Sequence, residues 1–478
     1  MGVTLTIGGQ EVHPTSYSIS EEATPILGGD TYGAVASFDL TVPVGELNPV
    51  VLYQASVVLV DDQYGSISGH VDKVTRSDDG ATLSLGCLAR TARLAAYNVT
   101  APPHVGTLFT ALQSYLILGD ATLAWTMPND MKTIPVAFIG WTGDLWLHLK
   151  ELAVAFGLEI AFNKGYVEFR RPRGLVLSDD WVESRSVDIG DNSLADKTEL
   201  YWYETSPVTN ASVYPPNKDL EHAVTYSIPA GEETEIILQL ETSLGSVVQP
   251  TFRETVTPTN FSQSNISLTK EDGSRVTFGD WMRGGGAARV EIMDDPTQLK
   301  LIVRGPTGPG TATYRLAVAS TNTHREYSSI RIVGNGVAFT KNRVEVPTGV
   351  KPNYASSEMA PTQENIFVNN AGKAWDLCTS NARSYATAAV SASFSAPYVG
   401  NPEPLGVVPG GRFYDTQSNQ WFRARTVTYD RGLIKVSADL DTTHGDAASM
   451  YAGKTYAQVQ AMNAGKTYTR VMLDGTTR

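Results

Sequence analysis

One stretch, GHVDKVTRSDDGATLSLGCL at residues 69–88, limits the fold more than any bulk property. Its two arms alternate apolar and polar residues, the period of a half-buried strand, and Asp79-Gly80 between them is tight-turn chemistry. A similar shape returns near the other end, in GRFYDTQSNQWFRARTVTYDRGLIKVSADL at residues 411–440, again a hairpin with a glycine at its turn. Between the N-terminus and residue 100 further segments read as strands: YGAVASFDLTVPV alternates, and QASVVLVDD is a compact apolar run ending in an acidic turn. Short strands at this spacing belong to barrels or sandwiches. MGVTLT fits a myristoylation pattern, but Val3, Leu5 and Ile7 alternate with polar residues, so it reads as a strand.

The character changes at APPHVGTLFTALQSYLIL. Thr107 suits an N-cap for a helix with Leu108, Leu112 and Tyr115 on one face, and Asp144 suits the N-cap of LWLHLKELAVAF, whose stripe is Leu145, Leu149, Leu152 and Phe156. Gly157 stands where a C′ glycine would end that helix, and a tight hairpin about Asn163-Lys164-Gly165 follows. From about 200 to 325 all is strand and turn again, with pairs about Ala-Gly-Glu and about a Gly/Pro-rich loop. A last helix begins near Ala371, with Trp375, Cys378, Ala382, Tyr385 and Ala389 at helical spacing.

At 478 residues the chain has room for about three units of roughly 150. The expected organisation is mainly β with a small α+β domain. It runs as a barrel or sandwich of short strands over 1–100, an α+β unit over 101–199, an inserted β-sandwich over 200–325, a further β unit with one helix over 326–440, and a tail over 441–478.

That tail says Gly-Lys-Thr-Tyr twice, at 453–456 and 465–468. A P-loop also needs a glycine five residues before the Gly-Lys-[ST], and those positions hold Ala448 and Gln460. The two 12-residue copies therefore read as a docking or plug element, and no cofactor is expected. Net charge is −13 with a pI near 5.1 and no basic block stands out, which disfavours sequence-independent nucleic-acid binding. Cys87 and Cys378 read as buried free thiols. The seven histidines (13, 70, 104, 148, 222, 324 and 444) fall into no metal-ligand spacing, and His148 reads as a surface or interface residue. GSISG at 65–69 has Ile67 at its centre, so it is no nucleophile elbow. Gly284 to Gly286 read as a mobile loop, and Asp179-Asp180 and Asp294-Asp295 as solvated turns. No catalytic, cofactor-binding or metal residue is assigned, no membrane span is evident, and the chain reads as a soluble, cytoplasmically made protein and not as an enzyme.

The order of parts carries a resemblance. GCLARTARLAAYNVTAPPHVGTLFTALQSYL, then GDLWLHLKELAVAFGLEIAFNKGYVEFRRPRG, and later WFRARTVTYDRGLIKVSADLD, resemble the baseplate hub proteins of long-tailed, siphovirus-like bacteriophages, the minor tail proteins of actinobacteriophage type. The resemblance implies a tail-hub architecture of tube-like β-barrels, a homotrimer at the tail tip of the virion, and a pseudo-sixfold ring continuing the tail tube. Implied partners are the distal tail or tail tube protein, the tape-measure protein and other tail-tip proteins, with DNA passing through an exit channel without specific binding. No residue is placed in that channel by sequence.

A second reading is a host-surface carbohydrate-binding module or carbohydrate-active enzyme of the tail tip. It rests on the inserted sandwich and on exposed-looking aromatics at Tyr201, Trp202 and Tyr203.

Overall fold

The computed structural model describes residues 3–441 apart from 26–31, 47–51, 62–64, 79, 91–93, 95–96, 164–165, 172–173, 178–181, 191–193, 215–223, 248–268, 271–282, 308–312, 319–331, 350–356, 361, 387–388, 398–410, 419 and 431–432. The Gly-Lys-Thr-Tyr repeats lie outside the described residues.

The N-terminal part supplies β1 (Val3–Ile7), β2 (Gln10–Val12), β3 (Ser16–Pro25), β4 (Tyr32–Pro43), β5 (Ser56–Asp61), β6 (Gly65–Arg76) and β7 (Thr82–Ala89). They pair antiparallel in the order β3-β4-β7-β6-β5-β1-β2. The hairpin expected at 69–88 is β6·β7. Gly80 takes φ +70° at its turn, where the Arg76 guanidinium donates to the Gly80 carbonyl at 3.2 Å. β5 departs from its expected compact apolar run: Val57 and Leu59 are buried, whereas Val58 and Val60 are 38% and 41% exposed. Alternation puts every second valine on the outer face.

Next come β8 (Asn98–Ala101), β9 (His104–Thr107), α1 (Leu108–Asp120), β10 (Trp125–Thr126), β11 (Pro135–Phe138), β12 (Trp141–Asp144), α2 (Leu145–Ala155), β13 (Glu159–Asn163) and β14 (Tyr166–Arg170). Thr107 caps α1 through a capping box with Thr110, and Asp144 caps α2 by accepting from the Leu147 N–H at 2.9 Å. Gly157 takes φ +62° and closes α2 in a Schellman arrangement: Leu158 N–H donates to the Ala153 carbonyl at 2.8 Å and Gly157 N–H to Val154 at 3.0 Å.

β15 (Gly174–Leu177) and β16 (Ser184–Gly190) lead to β17 (Ala195–Tyr214), a long strand paired with β25 (Ile332–Pro347). Beyond this ribbon lie β18 (Val224–Ile228), β19 (Glu233–Gln239), β20 (Thr242–Val247), β21 (Thr269–Lys270), β22 (Ala287–Ile292), β23 (Gln298–Arg304) and β24 (Tyr314–Val318). Two three-stranded sheets, β18-β24-β21 and β19-β23-β22, flank a core of Ile228, Ile236, Leu238, Leu299 and Leu301. β26 (Ser357–Met359) and β27 (Gln363–Asn365) add parallel strands to β17, and α3 (Ala371–Ala386) packs on β17 and β25. Ala374, Cys378 and Ala382 form the buried stripe of α3. Trp375 is 52% exposed, one position off the expected face, and Ala389 falls in the strand after the helix.

The described chain closes with β28 (Ala389–Pro397), β29 (Arg412–Asp415), β30 (Gln420–Asp430) and β31 (Leu433–Leu440). These pair with β16 in the order β16-β28-β31-β30-β29, each neighbouring pair antiparallel. The second β unit therefore takes its first strand from 184–190. Of the segment 332–386, expected within that unit, Val346, Phe367, Val368 and the α3 stripe pack in the helical core and Ile332 in the sandwich core. A strand recruited across some two hundred residues of intervening chain leaves no local signal of its partner.

The two units have the same topology. β3, β4, β5, β6 and β7 match β16, β28, β29, β30 and β31 in chain order and in sheet order. Each hairpin carries a bulge at the same place, at Asp72 in β6 and Arg425 in β30. Superposing the bulges sets Val74-Thr75 on Val427-Thr428. Following the cross-strand registers outward sets Pro43 on Pro397 and Ser16-Tyr17-Ser18-Ile19 on Ser184-Arg185-Ser186-Val187, with no gap. Matching bulges and registers across four strands are hard to obtain by chance, because a one-residue slip would turn the apolar side of a strand outward.

Candidate functional site

The units meet where β3 pairs antiparallel with β30, Ile19 opposite Tyr429 and Glu22 opposite Thr426. This join fuses them into one sheet with a shared core that includes Ile19, Phe38, Leu85, Phe413, Phe422, Val427 and Val436. Each unit curls enough for its outermost strands to touch. Tyr17 Oη on β3 donates to Asp61 Oδ2 on β5 at 2.5 Å, and Arg185 Nη2 on β16 donates to Asp415 Oδ1 on β29 at 2.6 Å. Tyr17 and Arg185 are equivalent positions, but the same superposition sets Asp415 on Leu59, so each unit closes through an acceptor of its own. Asp415 is fully buried and also accepts from Ser418 N–H at 3.0 Å and Ser418 Oγ at 2.5 Å.

The apolar side chains of these strands fill the curl, and their alternates form an outer face of small hydroxyls. Ser184 pairs with Ser395 at 2.6 Å, Ser186 with Ser393 at 2.7 Å and, across the join, Ser20 with Thr428 at 3.4 Å. Ser37, Asp39, Thr41 and Ser84 lie on the same side of β4 and β7. A shallow depression of about 340 Å³ in this face is lined by Ser184, Ser393, Ser395, Thr426, Thr428 and Lys435, among others. Besides the hydroxyls, this face carries the charged side chains of Asp39 and Lys435. The Ser-x-Ser rhythm of β3 and β16 was its sequence signal, but alternation alone does not say which face belongs to a common surface.

A buried ionic cluster lies behind the sheet. Arg170 Nε contacts Glu159 Oε1 at 2.7 Å, and Arg412 Nε contacts Asp441 Oδ2 at 3.0 Å. Burial pushes the Glu159 carboxyl up, against the pull of Arg170, Arg423 and Arg412. Glu159, Arg412, Arg423 and Asp441 are buried, and the cluster ties β13 and β14 to β29 and β30.

Other candidates resolve individually. His148, expected at the surface or at an interface, is largely enclosed within the chain: its ring lies 4.1 Å from that of Trp141 and its Nδ1 is 2.8 Å from Glu151 Oε2. The aromatic trio is no open platform, since Trp202 and Tyr203 are buried and the Lys341 ammonium sits over Tyr201 at 4.7 Å. Gly285 takes φ +82° in a turn where Thr307 N–H donates to the Gly284 carbonyl at 2.6 Å. Cys87 and Cys378 are buried and unpaired, and burial together with Asp39 pushes the Cys87 thiol up to about 12. Asp294 accepts from Thr142 Oγ1 at 3.2 Å through its carbonyl, and Asp295 holds Thr297 N–H at 2.9 Å, a turn role. Asp179 and Asp180 lie outside the described residues. Among the described residues no three His, Cys, Asp or Glu side chains gather as a metal would need, and no helix is long and apolar enough to cross a membrane.

No protein-family model matches the sequence, and no curated protein matches it. Among solved structures, the chain is similar to a tail protein from Neisseria meningitidis MC58 (TM-score 0.40, 10% identity, 92% of this chain and 95% of that one). It is also similar to the 43 kDa tail protein of prophage MuSo2 from Shewanella oneidensis (TM-score 0.42, 10% identity, 91% and 97%). A third is the prophage tail protein gp18 from Listeria monocytogenes EGD-e (TM-score 0.42, 8% identity, 94% and 95%). All three are tail proteins, two of them of prophages.

Proposed function

We propose that this chain is a structural protein of a bacteriophage tail, a baseplate hub of which three copies form a ring that continues the tail tube. The observation that carries the reading is the duplicated β unit, repeated in the same strand order and register and fused through β3·β30. Three chains with two units each present six similar wall segments, the number needed to seat a threefold ring on a sixfold tube. The hydroxyl face would line the DNA channel, where a wall poor in fixed positive charge lets the phosphate backbone slide. The helical core and the sandwich, present once per chain, would sit outside the ring and meet the distal tail, tape-measure and other tip proteins. The reading contains no catalytic step.

Static light scattering on the purified chain tests it. A mass near 3 × 51.6 ≈ 155 kDa fits the ring. A monomer at all concentrations, or a dimer with the β units apart, counts against it.

A further inference from the structure

The internal join leaves two edges unused. β30 has one flank shared by two strands: its first half pairs with β29 and its second half with β3. β6 is its equivalent, and its first half pairs with β5 through Gly65–His70. The matching second half, Lys73–Arg76, has no strand on that flank among the described residues. The contrast in burial agrees. Under β3, Val427 and Tyr429 are buried, while their equivalents are a partly buried Val74 and an exposed Arg76. At the far end of the same sheet, β16 is the equivalent of β3, and among the described residues its flank away from β28 carries no strand.

We propose that β16 of one copy pairs antiparallel with the second half of β6 of another copy, repeating between chains the β3·β30 join found within each chain. This deepens the ring reading above and rests on it for closure; the strand pairing itself rests on the duplication. Carrying the internal register across gives Val187 opposite Arg76, Asp188 opposite Thr75, Ile189 opposite Val74 and Gly190 opposite Lys73. The occupant is a second copy because the missing strand on β6 is, by position, the strand that this chain itself leaves free. The contact is head-to-tail, so it must close into a ring or continue as a filament. Each step adds one ladder and removes two unpaired edges, which otherwise invite nonspecific pairing.

Disulfide trapping tests the register. Ser20 Oγ and Thr428 Oγ1 lie 3.4 Å apart in the internal join, and their equivalents are Asp188 and Thr75. Full-length T75C and D188C chains, one carrying a size tag, are mixed and oxidised, with buried Cys87 and Cys378 left in place. S20C/T428C in one chain is the positive control and must close without a change in mass. Circular dichroism checks that each variant is folded. We expect a mixed covalent dimer, with a yield about tenfold above that of D188C mixed with K73C, because disulfide geometry tolerates little offset.

Trapping at this register in particles of 155 kDa supports both the pairing and the ring. Trapping in open-ended polymers supports the pairing and refutes the ring. Particles near 155 kDa without trapping overturn the pairing and leave the ring reading standing. Folded chains that remain monomeric and untrapped overturn both.

Discussion

Replacing Asp415 with alanine isolates the contact that curls the second β unit. The carboxylate is fully buried and holds Arg185 Nη2 at 2.6 Å together with both Ser418 donors. Removing one partner of a buried ion pair costs about 3–5 kcal/mol, much of it from the charge left behind. The Arg185 side chain keeps 16% exposure, and its guanidinium stacks over the Phe394 ring at 5.7 Å. Partial solvation and that stacking set the expected loss near the lower end, about 3 kcal/mol. Replacing both partners, Asp415→Ala with Arg185→Met, leaves an apolar stem against Phe394 and no stranded charge. The double mutant should therefore lose less than the sum of the singles, with a coupling of about 2–3 kcal/mol. Urea denaturation of the four chains gives the cycle, and hydrogen exchange at β16 and β28 shows whether the loss is local. Additivity within about 0.5 kcal/mol would refute the claim that this pair closes the unit.

Thr107→Ala removes the side-chain half of the α1 capping box and should cost about 1 kcal/mol in the same denaturation assay; Thr107→Ser should recover most of it. Gly69→Ala would bring a Cβ to 2.0 Å from the Leu88 carbonyl oxygen. Backbone cannot yield there without parting β6 from β7, so a loss of at least about 1–3 kcal/mol is expected, and a neutral result would contradict the strand packing. For Cys87 the sign follows from a folded thiol pushed up to about 12. Only the unfolded chain ionises above its ordinary value of about 8.5, so this thiol leaves stability unchanged below that pH. Between there and the raised value stability falls by about 1.4 kcal/mol per pH unit. Cys87→Ala should remove that part of the alkaline slope, and the native thiol should be silent to DTNB until the chain is unfolded.

Local chemistry was legible in the sequence. Both helix caps at Thr107 and Asp144, the Gly157 terminus, the β6·β7 hairpin and the mainly β character follow from patterns a few residues long. Long-range pairing was not. The partnership of β16 with β28 links residues 184–190 to residues 389–397, and the intervening strands alternate just as well. The similarity of the two hairpins was visible, but its extent became clear only when the bulges at Asp72 and Arg425 fixed one common register. His148 and Trp375 show the limit of helical periodicity: it finds the stripe within about one position, and a neighbouring element decides which flank is covered. The hydroxyl face needed both units at once, because Ser20 and Thr428 meet only across the join.

The most direct test of the central claim is the rotational symmetry of the assembled particle by cryo-electron microscopy. Duplicated β units in a three-chain ring predict sixfold density at the inner radius, around the channel, passing to threefold density outside, where the helical core and sandwich occur once per chain. Particles with threefold density at every radius, or with the β units away from a central channel, would contradict it.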